Sequence, residues 1–162
     1  MDLFEKVAEK NTIYKIRASW LSIAKLYNEI AENYNATIST AFVLLAIDEE
    51  GGTPVTKIAP RIGMEPNSLS RTLQYLEKVK LITRKKDKTD KRIVHIYLTE
   101  KGIHMREIAL KAVFKLEKYI TKNLADEQLK TFFEVIDHVP QAIEQFRKDM
   151  PVNEVKSKKK QG

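Results

Sequence analysis

Apolar residues recur at helical intervals toward both ends of the chain and change to alternation only in its middle. Ile13, Ile16, Trp20, Ile23, Tyr27 and Ile30 follow one another at steps of three and four residues, which places a broad apolar stripe on one side of a first helix. That stripe suits either a core or a dimer interface. Asn33 to Thr37 is polar and reads as a connector, after which Ser39 can cap a helix carrying Phe42 and Leu45. Glu50-Gly51-Gly52 ends that pattern.

Thr53-Pro54 can open a short helix containing Ile58, Ala59 and Ile62. With Thr56 as the cap instead, Pro60 falls in the first turn, where its ring is better tolerated. Gly63 and Met64 form the turn into a second helix, which starts near Glu65-Pro66 and runs to Lys80. Leu69, Leu73 and Leu76 share one face of it, while Asn67, Arg71, Gln74 and Lys78 lie roughly opposite.

Leu81 to Arg84 then reads as a short strand and Arg92 to Leu98 as its returning partner, with Val94, Ile96 and Leu98 at the strand period. Thr99 marks the start of a further helix with Glu100 in its first turn, carrying Ile108, Ala109, Ala112, Val113, Leu116 and Ile120. Leu129, Phe132, Phe133, Ile136, Ile143 and Phe146 predict a final helix, bent or interrupted at Pro140.

This order predicts a mainly α chain with a small β-wing: a winged helix-turn-helix over residues 38–99, flanked by terminal helices that can dimerise. Residues 1–150 form the folded part, and 151–162, with Lys156, Lys158, Lys159 and Lys160 but no apolar anchor, read as a basic mobile tail.

Charge sharpens the picture. The 162 residues carry a formal net charge of +7, which favours an anionic partner. Between Arg84 and Arg92, six cations (Arg84, Lys85, Lys86, Lys88, Lys91 and Arg92) outnumber Asp87 and Asp90, so the loop of the hairpin is densely positive. The absence of cysteine excludes a disulfide framework and a thiol sensor within this sequence. His95, His104 and His138 are scattered without ligand spacing, so no metal is expected. There is no Gly-rich phosphate loop and no nucleophile-base arrangement, which argues against an enzyme or a bound cofactor. No apolar run reaches membrane length and no signal core follows Asp2, Glu5, Lys6 and Glu9, so the expectation is a soluble cytoplasmic protein without a membrane partner.

The segment TKIAPRIGMEPNSLSRTLQYLEKVKLITR, followed by DKTDKRIVHIYLTEKG and framed by helical arms, closely resembles the MarR family of winged-helix transcription regulators. The resemblance implies that Ser68 to Glu77 lies on the helix that faces the DNA groove. It also matches Asp90 and Arg92 to the family's Asp-x-Arg wing pattern, in which the acid orients an arginine that approaches DNA. Leu98-Thr99 and Gly102 match the passage from wing to dimer-supporting helix. Lys80 departs from the pattern, standing where the family usually has glycine; it either takes a positive φ or ends the helix normally and contacts phosphate.

Double-stranded DNA with a pseudo-palindromic operator is thus the expected partner of a homodimer. Arg71 can read guanine bidentately or grip phosphate, and Asn67 and Gln74 can pair with adenine. Ser68, Ser70 and Lys78 complete the candidate helix contacts. Lys85, Lys86, Lys88, Lys91 and Arg92 supply the wing contacts, with Asp90 orienting Arg92. The resemblance further implies a small anionic or aromatic ligand, for which Trp20, Tyr27, Tyr34 and Phe42 are candidate lining residues. The expected activity is transcriptional repression under ligand control. A constitutive DNA-binding regulator and a noncatalytic protein-interaction module are the alternatives.

Overall fold

The computed structural model describes the backbone of residues 3–150 and the side chains of Glu5 and residues 8–150; the basic tail expected over 151–162 lies outside them. Seven helices and three short strands follow in the order α1 (Leu3–Lys10), α2 (Thr12–Glu32), α3 (Ile38–Leu45), β1 (Thr53–Pro54), α4 (Val55–Ile62), α5 (Pro66–Lys78), β2 (Ile82–Lys86), β3 (Val94–Leu98), α6 (Glu100–Thr121) and α7 (Asp126–Asp149) among the described residues. The architecture is the expected one, mostly helical with an antiparallel wing. Packing divides the chain into two compact units, with the division inside α6 between Lys115 and Leu116.

The first unit holds the core. Leu69, Leu73 and Leu76 of α5 meet Val43, Leu44 and Ile47 from the α3 region, Ile58 of α4, Leu81, Ile82 of β2 and Ile96 of β3. A helix that buries one side must show apolar residues at steps of three and four, and α5 does. Truncating a side chain such as the fully enclosed Leu76 would cost about 2–5 kcal/mol.

Several ends differ from the sequence reading. Asn11 caps α2 by accepting from the Tyr14 N–H at 3.2 Å, and a separate short α1 precedes it. Thr37, not Ser39, caps α3: Thr37 Oγ1 accepts from the Thr40 N–H at 3.2 Å while Thr40 Oγ1 accepts from the Thr37 N–H at 2.9 Å. Two neighbouring orphan donors are thereby satisfied reciprocally, which a lone serine two residues later could not achieve.

Thr53-Pro54 does not open α4. It forms β1, pairing Thr53 with Ile96 and Pro54 with His95, so the sheet order is β1-β3-β2. Proline is tolerated there because β1 is an edge strand. Pro60 consequently sits inside α4 rather than in a first turn begun by Thr56, and the helix ends soon after at Gly63, whose φ of 63° suits glycine. β2 starts at Ile82 rather than Leu81, whose N–H closes α5, and runs past Arg84 to Lys86, while β3 starts at Val94 rather than Arg92 because residues 87–93 close the hairpin. Pro140 does not interrupt α7, which is continuous from Asp126 to Asp149.

Where α5 ends, Lys80 takes the left-handed conformation with φ 60°, as the glycine of the family pattern would. The Leu81 N–H returns to the Leu76 carbonyl at 2.9 Å, which closes the helix end and turns the chain into β2. The Leu81 carbonyl in turn accepts from the Thr99 N–H at 3.0 Å, and Thr99 Oγ1 caps α6 by accepting from the Gly102 N–H at 3.0 Å. Gly102 is required by contact, since a Cβ there would lie 2.0 Å from the Leu81 oxygen.

Two substitutions test this junction. Lys80→Gly should raise stability by up to about 1 kcal/mol in chemical denaturation, because a residue with a Cβ pays about 1–2 kcal/mol for the left-handed conformation, offset in part by the added freedom of glycine in the unfolded chain. Gly102→Ala should lower it by at least about 3 kcal/mol, since the methyl group meets backbone rather than a movable side chain. An unchanged denaturation midpoint for Gly102→Ala would contradict the contact.

Candidate nucleic-acid interface

The buried leucines of α5 force its other side outward. Asn67, Ser68, Ser70, Arg71, Gln74 and Lys78 are all exposed. Their hydrogen-bonding groups are presented on a rigid element anchored by the core. Thr72 is less available, because its hydroxyl donates to the Ser68 carbonyl at 3.0 Å. Glu77 turns toward the wing and holds Arg84 Nε at 2.9 Å, so Arg84 braces α5 against β2.

The wing is an antiparallel hairpin in which Ile82 faces Leu98 and Lys86 faces Val94. Its loop is organised by two aspartates. Asp87 Oδ1 accepts from the N–H groups of Thr89 at 2.8 Å and Asp90 at 3.0 Å, while its other oxygen lies 3.3 Å from His95 Nε2. Asp90 accepts twice from its neighbour two residues on: Arg92 Nε donates to Oδ1 at 3.0 Å and Nη2 to Oδ2 at 2.9 Å. The Arg92 backbone N–H also reaches Asp90 Oδ1 at 3.0 Å. This fork fixes the guanidinium's direction while leaving the Arg92 side chain 90% exposed.

These contacts set the charge states. The Arg92 guanidinium, then its N–H, hold the Asp90 carboxyl below the usual carboxylate range, and Asp90 correspondingly raises Arg92. Asp87 is lowered by the backbone N–H groups of Asp90 and Thr89. Lys85 places its ammonium 5.0 Å from the centre of the Tyr97 ring, so it lies along the wing face. Lys86, Lys88 and Lys91 are exposed around Arg92.

Two arginines hold the turn that follows α3. Arg61 Nη1 donates to the Ala46 carbonyl and pairs with Asp48, both at 2.9 Å, and Asp48 also accepts from the buried Thr53 hydroxyl at 3.0 Å. The Arg61 and Thr53 hydrogen bonds lower Asp48. Arg106 reaches the same turn from α6, donating to the Ile47 carbonyl at 3.2 Å and pairing with Glu49.

A cavity of about 210 Å³ opens among α2, α3, α5 and α6 within the first unit. Tyr27, Tyr34 and Phe42 line it, together with Ile30, Leu45, Met105, Ile108 and Val113. Trp20 is not among the lining residues and stacks on Phe42 with ring centres 6.1 Å apart. Tyr75 and Lys101, which the sequence reading passed over, supply polar groups on its wall. Asp87 was also missed, although the spacing Asp87-Lys88-Thr89-Asp90 carries the signal of a side-chain-capped turn. Among the described residues no cluster of histidine and carboxylates is placed to hold a metal, and no helix is long and apolar enough to cross a membrane.

Residues 36–94 match the MarR family. Among curated proteins, the uncharacterized HTH-type transcriptional regulator YhbI of Bacillus subtilis (strain 168) is 29% identical over 114 residues, covering 70% of this chain and 74% of that protein. Among solved structures, the S. aureus MepR–DNA complex superposes with a TM-score of 0.76 at 21% identity, covering 83% of this chain and 98% of MepR. The PcaV transcriptional regulator from Streptomyces coelicolor, in complex with its natural ligand, gives a TM-score of 0.72 at 20% identity, covering 88% and 97% of the two chains. At these identities the structural likeness speaks for the fold.

The wing's pH response has a definite sign. With Asp87 and Asp90 lowered in the folded chain, their contribution is complete above the ordinary carboxylate value of about 3.9 and is lost as pH falls through the lower folded values. Amide NMR signals of Thr89, Asp90 and Arg92 should therefore hold constant from neutral pH to about 4 and move only below it. Movement of all three together near pH 6 would contradict the assignment.

Proposed function

We propose that this chain, a MarR-family winged helix-turn-helix protein of DNA-binding transcription control, acts as a homodimeric repressor that reads a pseudo-palindromic operator and is released by a small ligand. The observation that carries this reading is the pairing of an exposed polar face on α5 with a positive wing whose Arg92 is aimed by Asp90. Arg71, exposed on this face, would donate two directed bonds to a guanine edge, and Asn67 and Gln74 have amides suited to adenine. Ser68, Ser70 and Lys78 flank them. Lys85, Lys86, Lys88, Lys91 and Arg92 attract the phosphate backbone, with affinity falling as salt rises because counterions are released. The chemistry is noncatalytic.

Dimerisation is supported by apolar surface that the single chain leaves bare. Phe132, Phe133, Val135, Ile143 and Phe146 of α7 are all exposed, and α7 buries none of its residues. Ile13 and Trp20 of α2 and Phe114 of α6 are exposed as well. Exposed apolar side chains in such number mark association surfaces. A two-fold pair would present two α5 helices to successive major grooves about 34–36 Å apart, and its occupancy of a promoter would obstruct polymerase. Ligand control is supported by the cavity lined by Tyr27, Tyr34 and Phe42, an enclosure suited to an apolar or aromatic body. PcaV, of the same fold, has been captured with its natural ligand.

Unbiased selection from random duplexes should enrich a pseudo-palindromic sequence, with a dimeric mass in solution at the same concentration. Absence of enrichment with folded protein at moderate salt would defeat the operator reading. On the selected site, Arg71→Ala should lose roughly 1–3 kcal/mol at one base pair and flatten preference there. Arg92→Ala should weaken all sites alike and reduce the slope of log affinity against log salt by about 1 per chain. Two folded variants with the parent's affinity and sequence profile would show that these contacts are wrongly assigned.

A further inference from the structure

The cavity and the DNA-reading surface share one helix, and one side chain touches both. Tyr75 stands on α5 four positions after Arg71 and one after Gln74, within the rigid frame that carries those groups. Its ring lines the cavity, and its hydroxyl donates to the Asn35 carbonyl at 2.7 Å. Asn35 also lines the cavity and lies in the connector between α2 and α3, where it takes the left-handed conformation with φ 51°. Asparagine tolerates that conformation, so the carbonyl is held toward the tyrosine at little strain. A second tie lies nearby: Lys101 Nζ donates at 3.4 Å to the carbonyl of Val79, the residue that ends α5. Both Val79 and Lys101 line the same cavity.

We propose that Tyr75 is the positioning residue through which the cavity's occupancy reaches α5, its hydroxyl acting as a latch between the DNA-reading helix and the α2–α3 connector. This rests on the ligand-control reading above and adds the residue that carries it. An apolar acid entering the cavity brings an acceptor between two donors, the Tyr75 hydroxyl and the Lys101 ammonium. Each can turn from a backbone carbonyl to the acid, because a charged acceptor makes the stronger hydrogen bond. The exchange is inexpensive at the connector, since Asn35 is exposed and its released carbonyl can be taken by water. With both ties transferred, the links from α5 to the connector and to α6 pass to the ligand, and Arg71 and Gln74 move with the helix. Release follows only because the acid binds the unlatched arrangement more tightly than the latched one.

The test uses the full chain, its selected operator and 1-anilinonaphthalene-8-sulfonate, an apolar body with one anionic group whose fluorescence reports cavity entry. Operator affinity is measured with and without saturating probe, for the parent and for Tyr75→Phe, which keeps the ring and loses only the hydroxyl. Hydrogen exchange of α5 is followed under the same four conditions. The parent should lose operator affinity by about 5-fold or more when the probe is bound, with faster exchange toward the end of α5. Tyr75→Phe should retain the fold and the probe's affinity within a few-fold, yet show an operator affinity and α5 exchange that no longer respond to the probe. A merely structural tyrosine would change stability without removing that response. If Tyr75→Phe responds to the probe as the parent does, the latch is wrong and ligand control stands. If the parent does not take up the probe, or takes it up with no change in operator affinity, ligand control and the latch fall together.

Discussion

The carbonyl of Leu81 is the joint on which the winged helix depends. The Leu81 N–H closes α5 by returning to Leu76, its oxygen receives the Thr99 N–H, and Gly102 packs close against it. Four elements therefore converge on one residue: α5, both long strands of the wing and the first turn of α6. Thr99 adds its hydroxyl, which donates to the Lys80 carbonyl at 2.8 Å and accepts from Gly102. A side chain at residue 102 would push α6 away from the Leu81 carbonyl, and the angle between wing and α5 would change with it. The left-handed Lys80 belongs to the same constraint, since the chain must reverse sharply there for Leu81 to face both ways.

The wing solves a different problem. A loop with several cations and little core would otherwise be held open by its own repulsion. Asp87 and Asp90 counter that by accepting from three backbone N–H groups as well as from Arg92, so the two negative charges shape the turn and orient its arginine together. Not every cation in the stretch remains available. Arg84 is held by Glu77, while Lys85 stays exposed as it lies over Tyr97, so Lys85, Lys86, Lys88, Lys91 and Arg92 remain the outward-facing set.

What could be read from the sequence was whatever leaves a periodic trace. The face of α5 was legible because Leu69, Leu73 and Leu76 must recur at helical steps to share a core, and the residues opposite them are then exposed by geometry. Features fixed by distant partners were not legible. Thr53-Pro54 has the local chemistry of a helix start, and only the pairing with Ile96 and His95 makes it a strand. Thr37 and Ser39 are both good caps, and the choice depends on Thr40 returning the hydrogen bond. The cavity wall is assembled from four helices, so the aromatic content suggested Tyr27, Tyr34 and Phe42 but could not separate them from Trp20, nor point to Tyr75 or Lys101.

The bare apolar side of α7 has a consequence for how such a regulator would be dosed. With a second copy as its cover, folding of that surface and association become a single equilibrium, and mass action makes the amount of complete dimer depend on the chain's own abundance. Wherever separate chains predominate, the dimer population rises as the square of their concentration, so halving the copy number removes three quarters of the species able to span two half-sites. A hydrophobic face would thereby turn a modest change in synthesis into a steeper change in promoter occupancy, with no need for a cooperative array of binding sites.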